Sequence, residues 1–361
     1  MYFRKLLTFI AVALSSRISA DNIPVVDLAS INHAKIDVNT VSVSGLSSGG
    51  FMANTMHYVF SSKVKGGGVF AGGPFNIGYN VTSRDFLPAY AVNVLASVLG
   101  RSQSELQAQT AFLSDQGIID RVTNLKGSKS YVYQGGVDPI NPEFVGLSQK
   151  VVNIYKHFGS DVKYLRLPFG THGVPTDNYG SACHSYNIID DGLNKCGIES
   201  IFEMFAHFYG KDYKKPISSS TPYTGTLYNF DQSPFTPSGN AATDFMNDYG
   251  GIYIPLACDN VNATCKLHVA FHGCYQTIFS NLFYDRWAVH AGFFQVADKN
   301  NVIVVFPRTA IFALQLTGTS NLACWDWFGG TTTSTIPFKQ MPQIKSVANI
   351  LNAIIGSNVF D

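Results

Sequence analysis

Ser47, Asp138 and His172 are the residues of this chain whose types and settings suit a shared chemistry. A serine hydroxyl is a weak nucleophile at neutral pH, so it needs a base to take its proton, and the base needs an acid to orient it. Each of the three stands where a strand-like run gives way to a glycine-rich turn. Ser47 is central in Gly45-Leu46-Ser47-Ser48-Gly49, a G-x-S-x-G stretch in which a sharp strand-to-helix turn exposes the hydroxyl. The backbone N–H of Ser48, opening the helix, then points at an oxyanion formed beside that hydroxyl. Asp138 lies in Gly135-Gly136-Val137-Asp138-Pro139, and His172 in Gly170-Thr171-His172-Gly173. Asp177 is the rival acid, shortly beyond the histidine. His57, His157 and His207 fall in helical patterns and His268 within a strand, which marks them as structural or surface residues. His272-Gly273-Cys274-Tyr275-Gln276 follows an apolar run and offers the backbone N–H of Cys274 as a second oxyanion donor. Plainer readings exist for each: a Gly/Ser-rich turn, a turn-forming Asp-Pro, an ordinary strand end.

The elements that must position these residues are legible as alternating patterns. Thr40 to Ser44 reads as a buried strand, and Gly50 to Phe60 as a helix-compatible run. Gly66–Pro74 reads as a short buried strand ending in a tight loop, and 81–127 as mostly helical, with Ser104-Glu105-Leu106-Gln107 opening one helix. A strand from Tyr131 leads into the Asp138 turn, and Leu147, Val151, Ile154 and Phe158 share one face of a helix over 143–158. Val162 to Leu167 is a further strand, and Ile201 to Tyr209 a Phe-rich helix. The polar, Pro/Ser-rich 211–240 reads as a connecting segment. Beyond it come strand-like runs at 251–255, 266–271 and 301–306, a helical stretch at 286–298, and a last helix at 344–355 with Gly356 as its C-cap. Strand and helix in alternation predict a mainly parallel sheet covered on both faces.

The chain has 361 residues, 14% of them charged, and a formal charge of +1. No basic run points to nucleic acid, and no paired Cys or His spacing points to a metal; no cofactor is expected. Arg4 and Lys5 precede a short apolar core, and Ile18-Ser19-Ala20 offers a cleavage site, so residues 1–20 read as a signal peptide rather than a membrane span. Residues 21–361 are then expected to form a single secreted catalytic domain, with a monomer as the favoured state. Asn80 and Asn262 open glycosylation sequons. Six cysteines suit an oxidising compartment. Cys183 with Cys196 and Cys258 with Cys265 look like loop clips, which leaves Cys274 with Cys324, a preference among many possible pairings. That last pairing would fasten Cys324-Trp325-Asp326-Trp327-Phe328 beside the site, where the aromatics either line a cleft for an apolar chain or join the core.

An ordinary α/β-hydrolase places several strands and an oxyanion loop ahead of its nucleophile, whereas here only residues 21–46 precede Ser47. The missing parts, a strand ending in His-Gly and a Val-rich strand ending in Phe306-Pro307, lie in the C-terminal half. One circularly permuted domain reconciles the two.

Gly-Leu-Ser-Ser-Gly-Gly, Gly-x-x-Asp, His-x-x-Pro-Thr-Asp, His-Gly-Cys-x-Gln and Cys-Trp-x-Trp together resemble the secreted polyhydroxybutyrate depolymerases in their single-domain, circularly permuted form. The likeness covers nearly all of the mature chain. It implies a permuted α/β-hydrolase fold and a Ser-His-Asp esterase acting on a polyester or a small ester. Carried over by position, Ser47 is nucleophile, His172 base and Asp138 acid, with the Ser48 and Cys274 amides as oxyanion hole. Trp325, then Trp327, and Tyr275 of the oxyanion loop are the substrate-binding candidates. The acid loop departs from the family's Gly-Thr-x-Asp-Thr type, and no stretch reads as an appended polymer-binding domain. Feruloyl and acetylxylan esterases look similar around the serine. A catalytically inactive hydrolase fold serving as a binding protein is the reading from another class.

Overall fold

The structure is a computed structural model and describes residues 23–28, 34–78, 100–186, 192–216, 221–277, 283–311, 323–329 and 336–361. The expected signal peptide and Asn80 lie outside the described residues. In chain order the strands are β1 (Val25–Val26), β2 (Lys35–Ile36), β3 (Ser42–Leu46), β4 (Gly66–Phe70), β5 (Lys129–Gly135), β6 (Asp161–Leu167), β7 (Val174–Thr176), β8 (Ser181–Ala182), β9 (Leu193–Lys195), β10 (Thr226–Asp231), β11 (Tyr249–Ile254), β12 (Thr264–Phe271) and β13 (Val302–Phe306). The α-helices are α1 (Ser48–Val59), α2 (Gln103–Asp115), α3 (Leu147–His157), α4 (Ser200–Tyr209), α5 (Phe293–Asn300) and α6 (Pro342–Ile355).

One large sheet runs β1-β10-β11-β13-β12-β3-β4-β5-β6, with β2 joined to β12. From β13 through β12, β3, β4 and β5 to β6 every pairing is parallel; β11 is antiparallel to both its neighbours. The register sets Ala270 beside Ser44, and Ser44 beside Gly68. Strands β3, β4 and β13 are buried along their whole length, as a parallel sheet covered on both faces requires. Two apolar clusters flank it. One includes α1, α3 and α6; the other α4 and α5.

Strands from both ends of the chain alternate in this sheet. If the chain is read from residue 226 to the end and then from residue 42, the strands appear in the order β10, β11, β12, β13, β3, β4, β5, β6. The strand that ends in His-Gly is then third, the position from which an α/β-hydrolase takes its second oxyanion donor. The permutation read from the sequence is the observed topology.

Two expectations are corrected. The 211–240 stretch is no mere connector, because Thr226–Asp231 pairs in full register with β11 and carries β1 on its other edge. The helical run at 286–298 is broken. A widened turn over Phe283–Ala288 gives way at Gly292 (φ 101°), a left-handed angle that ends one helix and starts α5. The helix expected to open at 104–107 is α2, capped by Ser102: its hydroxyl accepts from Glu105 N–H while the Glu105 carboxylate accepts from Ser102 N–H. Among the described residues no helix is long and apolar enough to cross a membrane.

Candidate active site

Parallel strands send their C-terminal ends to one edge, and the candidate residues gather there: Ser47 after β3, Asp138 after β5, His172 after β6 and Cys274 after β12. Ser47 has φ 55° and ψ −120°, a strained geometry for a residue with a side chain, fixed by its N–H donating to Phe70 O at 2.9 Å. It is partly exposed while Leu46 and Ser48 on either side are buried, so this residue alone of the turn meets solvent. Two glycines make the turn possible. A Cβ on Gly45 would collide with the Gly49 carbonyl, and a Cβ on Gly49 with the carbonyls of Phe271 and His272. Gly49 therefore lets the oxyanion loop lie directly on the start of α1. The Ser48 N–H belongs to the first turn of that helix, whose amides have no intrahelical partner.

Asp138 and His172 meet. His172 Nδ1 stands 2.8 Å from Asp138 Oδ2 and 3.1 Å from Oδ1, with the aspartate side chain wholly buried. A carboxylate only accepts, so Nδ1 carries the proton and Nε2 is left as the base. The aspartate is pinned in turn, Oδ1 accepting from the N–H groups of Ile140 and Asn141, both at 2.8 Å. Asn141 Nδ2 donates to Gly72 O, fastening the acid loop to the end of β4. Val137 N–H donates to Gly170 O, and Tyr133 Oη to Thr171 O at 3.0 Å, so both loops are locked to each other. Asp177 lies past β7 on the wall of a separate pocket of about 390 Å³ with Glu199 and His290.

The oxyanion loop is gripped from beneath. His272 is fully buried, which lowers its pKa to about 3 and keeps the ring neutral. Its Nε2 accepts from Thr309 N–H at 3.2 Å, so Nδ1 carries the hydrogen and donates to Gly273 O at 2.7 Å. Gly273 C=O and Cys274 N–H share one planar trans peptide and point in opposite directions. Holding that carbonyl inward therefore aims the Cys274 amide outward. Gly273 N–H donates to Gln276 Oε1, which fixes the preceding peptide. Sequence reasoning missed the role of His272; its signal was its place just past the buried end of β12, two residues before the donor.

Disulfides join Cys183 to Cys196, Cys258 to Cys265 and Cys274 to Cys324. The third ties the oxyanion loop to the tryptophan segment. There the substrate-lining expectation is corrected. Trp325 is 1% exposed, edge-on to Phe271 with ring centres 4.9 Å apart, and Trp327 is 4% exposed, stacked on Phe51 of α1 at 4.2 Å. The disulfide holds the segment against the apolar side of the elbow, where burial of two indoles outweighs their exposure in a cleft. Trp325 N–H also reaches Ser48 Oγ at 3.4 Å. Tyr275, at φ 67° and 37% exposed, is the candidate aromatic that stays open to solvent. Among the described residues no group of His, Cys, Asp and Glu is arranged to hold a metal.

No protein-family model matches the chain. It is 32% identical over 335 residues to the poly(3-hydroxybutyrate) depolymerase of Delftia acidovorans, an alignment that takes in 89% of this chain and 60% of that one. The chain thus spans less than two thirds of that relative's length. It is 28% identical to the polyhydroxybutyrate depolymerase of Talaromyces funiculosus, over 86% of this chain and 88% of that one. Among solved structures, a PHB depolymerase with a serine-to-alanine change, complexed with an R3HB trimer, superimposes with a TM-score of 0.73 at 25% identity. That match covers 90% of this chain and 98% of the other. The PHB depolymerase of Penicillium funiculosum gives 0.72 at 26% identity, over 89% and 97%. With the permuted sheet and these matches in view, the chain is similar in sequence and in fold to polyhydroxybutyrate depolymerases.

Proposed function

We propose that this chain is a secreted serine esterase that cleaves hydroxyalkanoate polyester and its oligomers through an acyl-enzyme on Ser47. The observation that carries the reading is the buried Asp138–His172 pair at the same sheet edge as a strained, partly exposed serine. His172 Nε2 takes the Ser47 proton as Oγ attacks the ester carbonyl, and the amides of Ser48 and Cys274 hold the oxyanion. The same nitrogen then protonates the departing alcohol. Water, deprotonated by His172, releases the acyl group from Ser47. The relatives named for this polyester, and the trimer complex of one neighbour, support the substrate class.

The rim supports an insoluble substrate over a soluble one. Val137, Ile140, Phe144 and Phe169 are 48%, 54%, 90% and 75% exposed on the two loops that carry Asp138 and His172. Exposed apolar groups clustered beside a catalytic site suit adsorption to an apolar film better than to a hydrated cell-wall polysaccharide. The Arg166–Glu143 ion pair braces the base of this patch. Secretion after removal of residues 1–20 accords with three disulfides and with Asn262, which is exposed at a turn and open to a glycan. Residues 21–361 are read as one catalytic domain.

Turnover on a 3-hydroxybutyrate trimer, on polymer film and on a feruloyl ester tests this. The reading expects cleavage of trimer and film with little on the feruloyl ester; preference for the feruloyl ester, or no ester cleaved, contradicts it.

A further inference from the structure

Tyr186 is an aromatic residue at the active-site mouth to which none of the catalytic steps assigns a role. Its ring meets that of His172 edge-to-face, centres 5.9 Å apart and planes at 82°. His184 and Ser185 just before it are exposed, but Tyr186 is half-buried, so its side chain turns inward. The turn that delivers it is built to hold. Cys183 is bonded to Cys196, Ser185 N–H donates to Ala182 O at 2.8 Å, and Asn194 Nδ2 donates to Ser185 O at 3.3 Å. The segment also reaches the oxyanion loop: a Cβ on Gly192 would lie 3.5 Å from Gln276 Nε2. Burial first, then the charges of Asp138 and Tyr275, raise the Tyr186 hydroxyl above the usual tyrosine value. The ring contact thus borders the acid–base pair, and the phenol stays protonated at neutral pH.

We infer that Tyr186 is a specificity residue that walls the alcohol side of the scissile ester, gripping the hydroxyacyl unit that departs. This rests on the polyester reading above. His172 must reach the leaving oxygen to protonate it, so a ring in contact with His172 borders the leaving unit and not the acyl group bound to Ser47. A hydroxyalkanoate leaving unit offers a branched apolar carbon chain to the face of that ring. A small alcohol offers almost nothing.

Two esters separate the sides: a 3-hydroxybutyrate trimer, followed at its hydroxyl-terminal ester where the acyl group is 3-hydroxybutyryl and the leaving alcohol is itself a hydroxyacid, and ethyl 3-hydroxybutyrate, which has the same acyl group and releases ethanol. Tyr186→Ala is expected to lower kcat/KM on the trimer roughly ten-fold more than on the ethyl ester, mainly through KM. Tyr186→Phe keeps the ring and is expected to hold the wild-type ratio within about two-fold. Equal losses on both esters indicate a merely structural residue and overturn the inference, as does an unchanged ratio in Tyr186→Ala. A Phe variant as impaired as the Ala variant assigns the effect to the hydroxyl and overturns the apolar wall. Wild-type protein that cleaves neither ester overturns the polyester reading and this inference with it, a result visible before any variant is made.

Discussion

At the scale of single residues, the acid is the assignment most open to contest, because two aspartates flank the histidine in sequence. Asp138 Oδ2 lies 2.8 Å from His172 Nδ1, and Asp177 faces another pocket. Asp138→Asn should therefore lower kcat by about 10⁴, since an amide favours the wrong imidazole tautomer. Asp177→Asn should stay near wild type in the same assay, and the reverse result exchanges the two acids. His272 gives a second test, through the peptide it holds. Loss of one oxyanion donor costs roughly 10²–10³ in kcat. His272→Ala, checked for folding by circular dichroism, should approach that loss with KM little changed; an unaltered kcat removes the tautomer argument. Asp138 and His172 were legible in the sequence because a titratable side chain in a glycine-flanked turn has few structural uses. The burial of Trp325 and Trp327 was not, because an indole's sequence neighbours do not reveal whether its partner is substrate, Phe51 or Phe271.

Elements impose a different limit on what can be read in advance. The helices with one apolar face, such as α3 and α6, stand close to where periodicity puts them, and Gly356 at φ 74° ends α6 as expected. Strand β10 was missed since its flanks are rich in Pro, Ser and Thr, and only its pairing with β11 makes Thr226–Asp231 a strand. The 286–298 run looked continuous because an isolated glycine is tolerated in a helix, whereas Gly292 adopts an angle no helix contains. The Cys274–Cys324 disulfide joins two such elements across a separation of 50 residues. Removing it should cost about 2–5 kcal/mol in stability. Cys324→Ser should therefore lower Tm and, by loosening the loop that holds the Cys274 amide, lower kcat as well. A lowered Tm with unchanged kcat would mean that the His272 and Gln276 contacts hold the loop unaided.

At the scale of the whole molecule, and among the described residues, His57, His268 and His272 are fully buried without charge, each with its pKa lowered from 6.5 to about 3, chiefly by burial. Between those values the unfolded chain binds protons that the folded chain refuses, so stability rises with pH across the window and is lost as pH falls through it. Tm should drop steadily from pH 6.5 towards pH 4, and a flat Tm over that range would contradict the neutral assignment. The permuted order of the sheet was legible at this scale because the strand ending in His-Gly and the Val-rich strand ending at Phe306 both follow Ser47 in the sequence. The central claim, that Ser47 is the nucleophile for hydroxyalkanoate ester cleavage, is tested most directly by titrating the protein with a fluorophosphonate. Peptide mapping locates the adduct while residual hydrolysis of 3-hydroxybutyrate trimer is followed in the same samples. The account predicts one adduct, on Ser47, with trimer hydrolysis falling in proportion to its occupancy. An adduct elsewhere, or trimer hydrolysis that persists when Ser47 is fully modified, would contradict it.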